Sequence, residues 1–305
     1  MIPWWLALLL VLIAAPAGAI AAYFWLRHKQ KKTRRPRHRL EQLAGGEDVF
    51  PPTIGNFRAI VRALAESKAA SLRPRYGPKL RFTAQDGEDI LLAQFFGYKS
   101  NGYFVEIGAY DGLYLSNSYF FEQIGWRGLL VEPLPTQSAA CKLNRPGSVV
   151  IQAALGKRQG QVTLTELVGQ EGLETLSYVG SPTRAVEKGQ RLANQTRTHQ
   201  VSLRTFEDVA EEAGLRPGHP IDFISIDCEG MDFEILQSID LTKWQPHLLI
   251  IESIDQTLLN YLAERGYQPM LRIRANTIFS RVAADQAYLS VASYWQALTT
   301  FQDER

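Results

Sequence analysis

The chain has 305 residues, of which 46% are hydrophobic and 21% charged, the composition of an ordinary globular protein. Eight of its 33 Lys and Arg lie in Arg27–Arg39, ahead of all 31 acids, so the remainder carries a net −6 and offers no broad nucleic-acid surface. Two cysteines, Cys141 and Cys228, make neither a disulfide framework nor a zinc pattern.

Ile2–Leu26 holds no charged residue and is long enough to cross a bilayer. Aromatic residues gather at both of its ends, and the basic run follows it. This predicts a single-pass anchor over residues 1–26 with the rest of the chain in the cytoplasm. Ala-Pro-Ala-Gly-Ala resembles a signal-peptide cleavage site, but the segment before it has no positive charge. The basic run reads as a topology determinant that could also hold anionic lipid head groups. A linker with Gly45-Gly46 and Pro51-Pro52 and a helical stretch over 56–72 complete the segment 27–72, ahead of a domain over 73–295 and a tail over 296–305.

Gln85–Asp89 precedes an apolar helical pattern and reads as a helix start, its early acids complementing the dipole. Tyr103–Pro133 then reads strand, glycine turn, helix, strand, one parallel βαβ unit. Gly108 and Gly112 allow a sharp turn and a close ligand approach. Glu132, at the tip of the second strand, suits the two hydroxyls of a ribose. A GxGxxG turn would point to a dinucleotide, but the pattern is Glu106-x-Gly108-x-x-Asp111-Gly112. Two acids there repel a pyrophosphate and suit an ammonium and a sulfonium, which points to S-adenosylmethionine.

Farther on, Val149–Ala154 ends in small residues where an adenine ring could slide against the backbone at Ala154. Val162–Leu167 is a short strand, and Gly169–His199 reads as a long irregular loop, a candidate lid. Thr205 with Asp208 forms a capping box. Ile221–Gly230 is strand four with Asp227 and Glu229 at its tip; Leu248–Ile251 is strand five, ending in Glu252. Tyr267–Arg274 and Asn276–Val282 suggest a terminal antiparallel pair. The alternation predicts a mostly parallel sheet covered on both faces.

GAYDG, SNSYFFEQIGWRGLLVEP and IDFISIDCEGMDFEIL resemble the signature blocks of the FkbM-type S-adenosylmethionine-dependent methyltransferases, over about Phe82 to Phe279. The resemblance implies a Rossmann-like class I fold, a seven-stranded sheet with an antiparallel edge strand. It implies that Glu106, Gly108, Asp111 and Gly112, with Asn117, hold the methionine half of the donor, that Glu132 takes the ribose, and that Gln85–Asp89, as an alternative to a plain helix start, lies over the cofactor. It favours O-methylation of a sugar or of a glycan or lipid-linked precursor. Tyr110 departs from the family pattern, where Asn or a small residue is expected.

Methyl transfer to a hydroxyl needs an acceptor for its proton, commonly a carboxylate or His. Asp227 is assigned to cofactor or acceptor contact and Glu229 to base or positioning, against the alternative that Glu229 only caps the next helix. Glu252 could add a Mg or Ca ligand, but no metal is expected, and the five histidines form no ligand pattern. Competing readings are an NAD-linked oxidoreductase, which Glu132 fits and the turn does not, and a catalytically silent membrane-tethered binding module. Oligomeric state leaves no trace in the sequence.

Overall fold

The computed structural model describes residues 54–169, 173–252 and 255–285. They divide between two units. The first, Met1–Phe82 with Ser293–Arg305, contributes helix α1 (Ile54–Tyr76), where Arg73 pairs with Glu66 at 2.8 Å. The second, Thr83–Ala292, carries the sheet.

In that second unit, helix α2 (Glu88–Phe95) precedes β1 (Tyr103–Ile107), helix α3 (Tyr119–Gln123), β2 (Arg127–Val131), α4 (Pro135–Asn144) and β3 (Val149–Ile151). Two further pieces follow from distant stretches: β8 (Phe223–Ile226) and β9 (Leu248–Ile251), each of four fully buried residues. Such unbroken apolar runs are what a parallel sheet covered on both faces demands. The last strands are β10 (Gln268–Ile273) and β11 (Asn276–Ser280). Their spatial order is β10-β11-β9-β8-β1-β2-β3. Only β11 runs against its neighbours, pairing antiparallel with both β9 and β10. The antiparallel strand therefore lies one place in from the edge, and β10 closes the sheet beyond it.

Alternate side chains of these strands build two cores. Val105, Leu129, Ile224, Leu249 and Phe279 pack together with the helices α6 (Phe206–Glu212), α7 (Asp232–Ser238) and α9 (Gln256–Ala263). On the opposite face Phe121, Trp126 and Phe223 meet ring to ring. The capping box at Thr205 is present with both of its hydrogen bonds. A short helix α8 (Leu241–Trp244) leads into β9.

Gly169–His199 is not an irregular loop. β5 (Gly160–Val168) and β7 (Gln195–Arg204) pair antiparallel over nine registers. With β4 (Ala154–Leu155) and β6 (Tyr178–Val179) they form a second, four-stranded sheet. A 3-10 turn (Leu173–Leu176) and helix α5 (Arg184–Gln190) fill the connection.

The membrane placement expected from the N-terminal sequence is corrected: among the described residues no helix is long and apolar enough to cross a membrane. The stretch on which it rested, residues 1–39, lies outside the described residues, as do His28, His38 and the tail from 296.

Candidate active site

The tips of β1, β2 and β8 lie side by side, because these strands pair in parallel register. The turn after β1 is made by left-handed backbone at Gly108 (φ 85°), Tyr110 (φ 49°) and Gly112 (φ 75°). The glycines answer to their protein neighbours: a Cβ on Gly108 would sit 1.9 Å from the Asp227 carbonyl oxygen. One on Gly112 would sit 2.6 Å from Arg145 Cγ. The turn is thus folded onto strand β8 on one side and onto α4 on the other. Tyr110 occupies the same left-handed region without glycine's freedom, which explains why Asn or a small residue is expected there.

Glu132 is buried at the tip of β2 and fastens this turn. Its Oε2 accepts the Tyr110 N–H and its Oε1 the Leu134 N–H, both at 2.8 Å. Burial lifts its carboxyl to about 7, against the pull of those two hydrogen bonds. Each oxygen retains a lone pair for a further donor.

Glu106 lies behind the turn. Its oxygens accept the Ser116 and Ser118 hydroxyls and the Asn117 N–H. Fully buried Arg145 stands 3.6 Å away and also binds Glu122 at 2.9 Å, the Gly112 carbonyl and Ser118 Oγ. Glu106 is therefore balanced by a cation, and its place is structural support of the turn. Asn117 is turned the same way, donating from Nδ2 to Ser225 Oγ at 3.0 Å. Asp111 Oδ1 caps its own loop by accepting the Leu113 and Tyr114 N–H groups. Ala154 opens β4 beside Leu134, Leu164 and Val201. Arg145 has no motif in the sequence to mark it; its importance comes from contacts with positions 23 to 39 residues away.

Asp227 and Glu229 follow β8, and Glu252 follows β9. One oxygen from each lies within 4.8 Å of the others, a spacing that one divalent cation could bridge. Glu252 is separated from Glu229 by a helix-containing connection, and the pairing of β8 with β9 brings it to the place expected from its position at a strand tip. Asp227 is solvent-exposed at the strand tip. Partial desolvation there, then the neighbouring Glu252, Asp232 and Glu229 carboxyls, hold its own carboxyl above the ordinary range. Glu229 is lifted to about 8, by burial first and then by Glu252 and Asp232, while a hydrogen bond with Thr183 opposes the shift. Glu229 (φ 47°) holds a left-handed backbone, strain of the kind that collects at functional sites, and Gly230 (φ 98°) follows it in a conformation that glycine adopts freely. Glu229 is not the cap of α7, whose N-cap residue is Met231.

The inserted segment reaches this loop. Thr183 caps α5, and a Cβ on Gly230 would meet its methyl at 2.7 Å. Thr183 carries no motif and was not singled out from sequence. His199 pairs with Glu166 across the β5–β7 hairpin at 2.7 Å, and His247 with Asp285 at 2.8 Å, so each has a structural partner.

A sheet in this strand order, with one antiparallel strand next to its edge and acids at the tips of β2 and β8, is the Rossmann-like architecture of class I methyltransferases. The model of the FkbM methyltransferase domain matches residues 106–269, more than half of the chain, and the chain belongs to that family. It is a methyltransferase, and S-adenosylmethionine is the donor that this membership implies. The NAD-linked alternative falls with it. Among solved structures the chain is similar to the METTL16 MTase domain (12% identity, TM-score 0.40, covering 88% of this chain and 93% of that one). It is similar also to human methyltransferase 10 domain containing protein (12%, 0.38, 76% and 100%). A third is precorrin-6y C5,15-methyltransferase from Geobacter metallireducens (12%, 0.32, 67% and 89%). Likenesses this distant transfer no substrate. No curated protein matches the sequence.

Proposed function

We propose that this methyltransferase modifies a hydroxyl oxygen of a sugar, free or within a glycan precursor, at the tips of β8 and β9. The observation that carries the reading is the convergence of Asp227, Glu229 and Glu252 within 4.8 Å. Three carboxyl groups discourage an anionic acceptor and offer hydrogen-bond acceptors to a neutral polyol.

When bound, S-adenosylmethionine supplies a methyl already activated on a sulfonium. The donor set suits it: Glu132 has lone pairs left for ribose hydroxyls, and the acids of the strand tips favour a cation over a pyrophosphate. Gly108, Asp111 and Gly112 shape the methionine end, with Glu106 and Asn117 fixing that turn from behind, and Ala154 borders the adenine. Asp227 contacts donor or acceptor. Glu229 takes the proton from the acceptor hydroxyl as the oxygen–methyl bond forms and the sulfur–methyl bond breaks. A carboxyl titrating near 8 is poised for this role at neutral to mildly alkaline pH.

The test is methyl transfer from labelled S-adenosylmethionine, by the full chain, to a panel of neutral sugars. Glu229→Gln should lower turnover by about 10²–10⁴-fold and leave donor affinity, read by calorimetry, unchanged. Donor binding without transfer to any sugar would remove the sugar reading. A Glu229→Gln variant as active as the parent would remove the base.

A further inference from the structure

The edge of the sheet opposite the carboxylates holds a second feature. At the amino ends of β1, β2 and β8 lies a recess of about 440 Å³. Its polar lining is Lys99, Asn101, Tyr103, Arg127, His219 and Asp222. It is roughly 15 Å from the strand tips that carry Glu132 and Asp227, the rise of a five-residue strand.

The charges in this recess do not balance. Asp222 is held in place, accepting from Lys99 Nζ and, at 2.8 Å, from the Tyr103 N–H. Lys99 is likewise fixed, its Nζ 5.2 Å from the Phe96 ring centre and 5.0 Å from that of Trp126. These two neutralise each other. Arg127 and His219 remain: among the described residues, neither side chain has a hydrogen-bond or ion-pair partner. The His219 ring stands edge-on to Tyr103, with centroids 4.8 Å apart, and forms an aromatic wall.

Backbone shape adds to this. Gly125 (φ 105°) and Gly102 line the same recess. A Cβ on Gly102 would meet the Trp126 ring at 2.5 Å, and one on Gly125 the Ser100 carbonyl at 2.9 Å. The two glycines thus let this stretch of backbone pack directly against the buried Trp126 ring and the Ser100 carbonyl.

We infer that this recess is a binding site for a phosphate monoester, separate from the methyl-transfer site. Arg127 takes two phosphate oxygens through its planar fork. His219 donates from a ring nitrogen to a third, and the Tyr103–His219 wall receives the group esterified to the phosphate. The site requires nothing of the donor chemistry, so it stands or falls independently of the proposed acceptor.

The experiment titrates the full chain with phenyl phosphate and, separately, with inorganic phosphate, at constant ionic strength made up with chloride. Calorimetry and phosphorus NMR line broadening give the affinities. Phenyl phosphate should bind more tightly than inorganic phosphate. Arg127→Ala and His219→Gln should each weaken it about ten-fold, with S-adenosylmethionine affinity unchanged as evidence of an intact fold. Equal affinity for the two probes would assign the site to free phosphate and overturn the monoester. Binding of neither probe, or binding unaltered in the Arg127→Ala/His219→Gln double variant, would overturn the site itself.

Discussion

Tyr110 sits where its side chain is least comfortable. At φ 49° it pays for a left-handed backbone that the Gly108–Gly112 turn needs, while its N–H is tied to Glu132. Its ring meets Tyr114 at 6.0 Å, which returns part of that cost. Tyr110→Asn should stabilise the protein by about 1 kcal/mol, read as a rise in the urea midpoint. A fall would mean that the ring contact outweighs the strain. Glu229 makes a second case. Because it must be ionised to act as a base, kcat should rise with pH through about 8 and level off above. Thr183→Val removes a hydrogen bond that lowers this value, so the same limb should move to higher pH. A profile that stays put would detach α5 from the base. Single residues were legible where their chemistry stood at a strand tip, as with Glu132, Asp227 and Glu229. Glu106 has the same kind of position at the end of β1, but its burial against Arg145 could not be seen from spacing.

Among the elements, the turn, α3 and the end of α4 are joined by one buried polar network. Arg145 links Glu106 to Glu122, and Glu122 in turn accepts from the Gly147 N–H and the Ser148 hydroxyl. Removing the cation leaves two carboxylates buried and uncompensated. Arg145→Met should therefore cost about 3–5 kcal/mol of unfolding free energy, measured by urea denaturation. A loss below 1 kcal/mol would show that the acids relax by taking up protons. The β5–β7 hairpin escaped the sequence for a related reason. Thr196, Arg197, Thr198 and Gln200 are all exposed, so β7 lacks the alternation that marks a half-buried strand. Its partner is separated from it by α5 and a 3-10 turn, and only pairing across that distance makes it a strand. The parallel strands were read closely because burial on both faces leaves continuous apolar runs.

For the molecule as a whole, several acids bind their protons more tightly in the folded chain than in the unfolded one. Burial lifts Asp89 and Glu132 to about 7, and Glu229 reaches about 8, from ordinary values of 3.8 and 4.5. Below their ordinary values both folded and unfolded chains carry these protons. Above them the unfolded chain has released its protons while the folded chain still holds them. Stability should therefore decline between about pH 4 and pH 8 and flatten beyond. A thermal midpoint higher at pH 8.5 than at pH 5.5 would contradict this.

The succession of strands and helices, the acids at the strand tips and the family were determined by the sequence alone. Each is written in a local period or in a residue type at a fixed place after a strand. Three things were left to the tertiary structure: how closely Glu252, already a candidate from its strand tip, approaches Asp227 and Glu229, that Arg145 balances Glu106, and that 169–199 folds into a second sheet. They depend on which distant segments touch, and contact between distant segments is settled by packing, which no local pattern records.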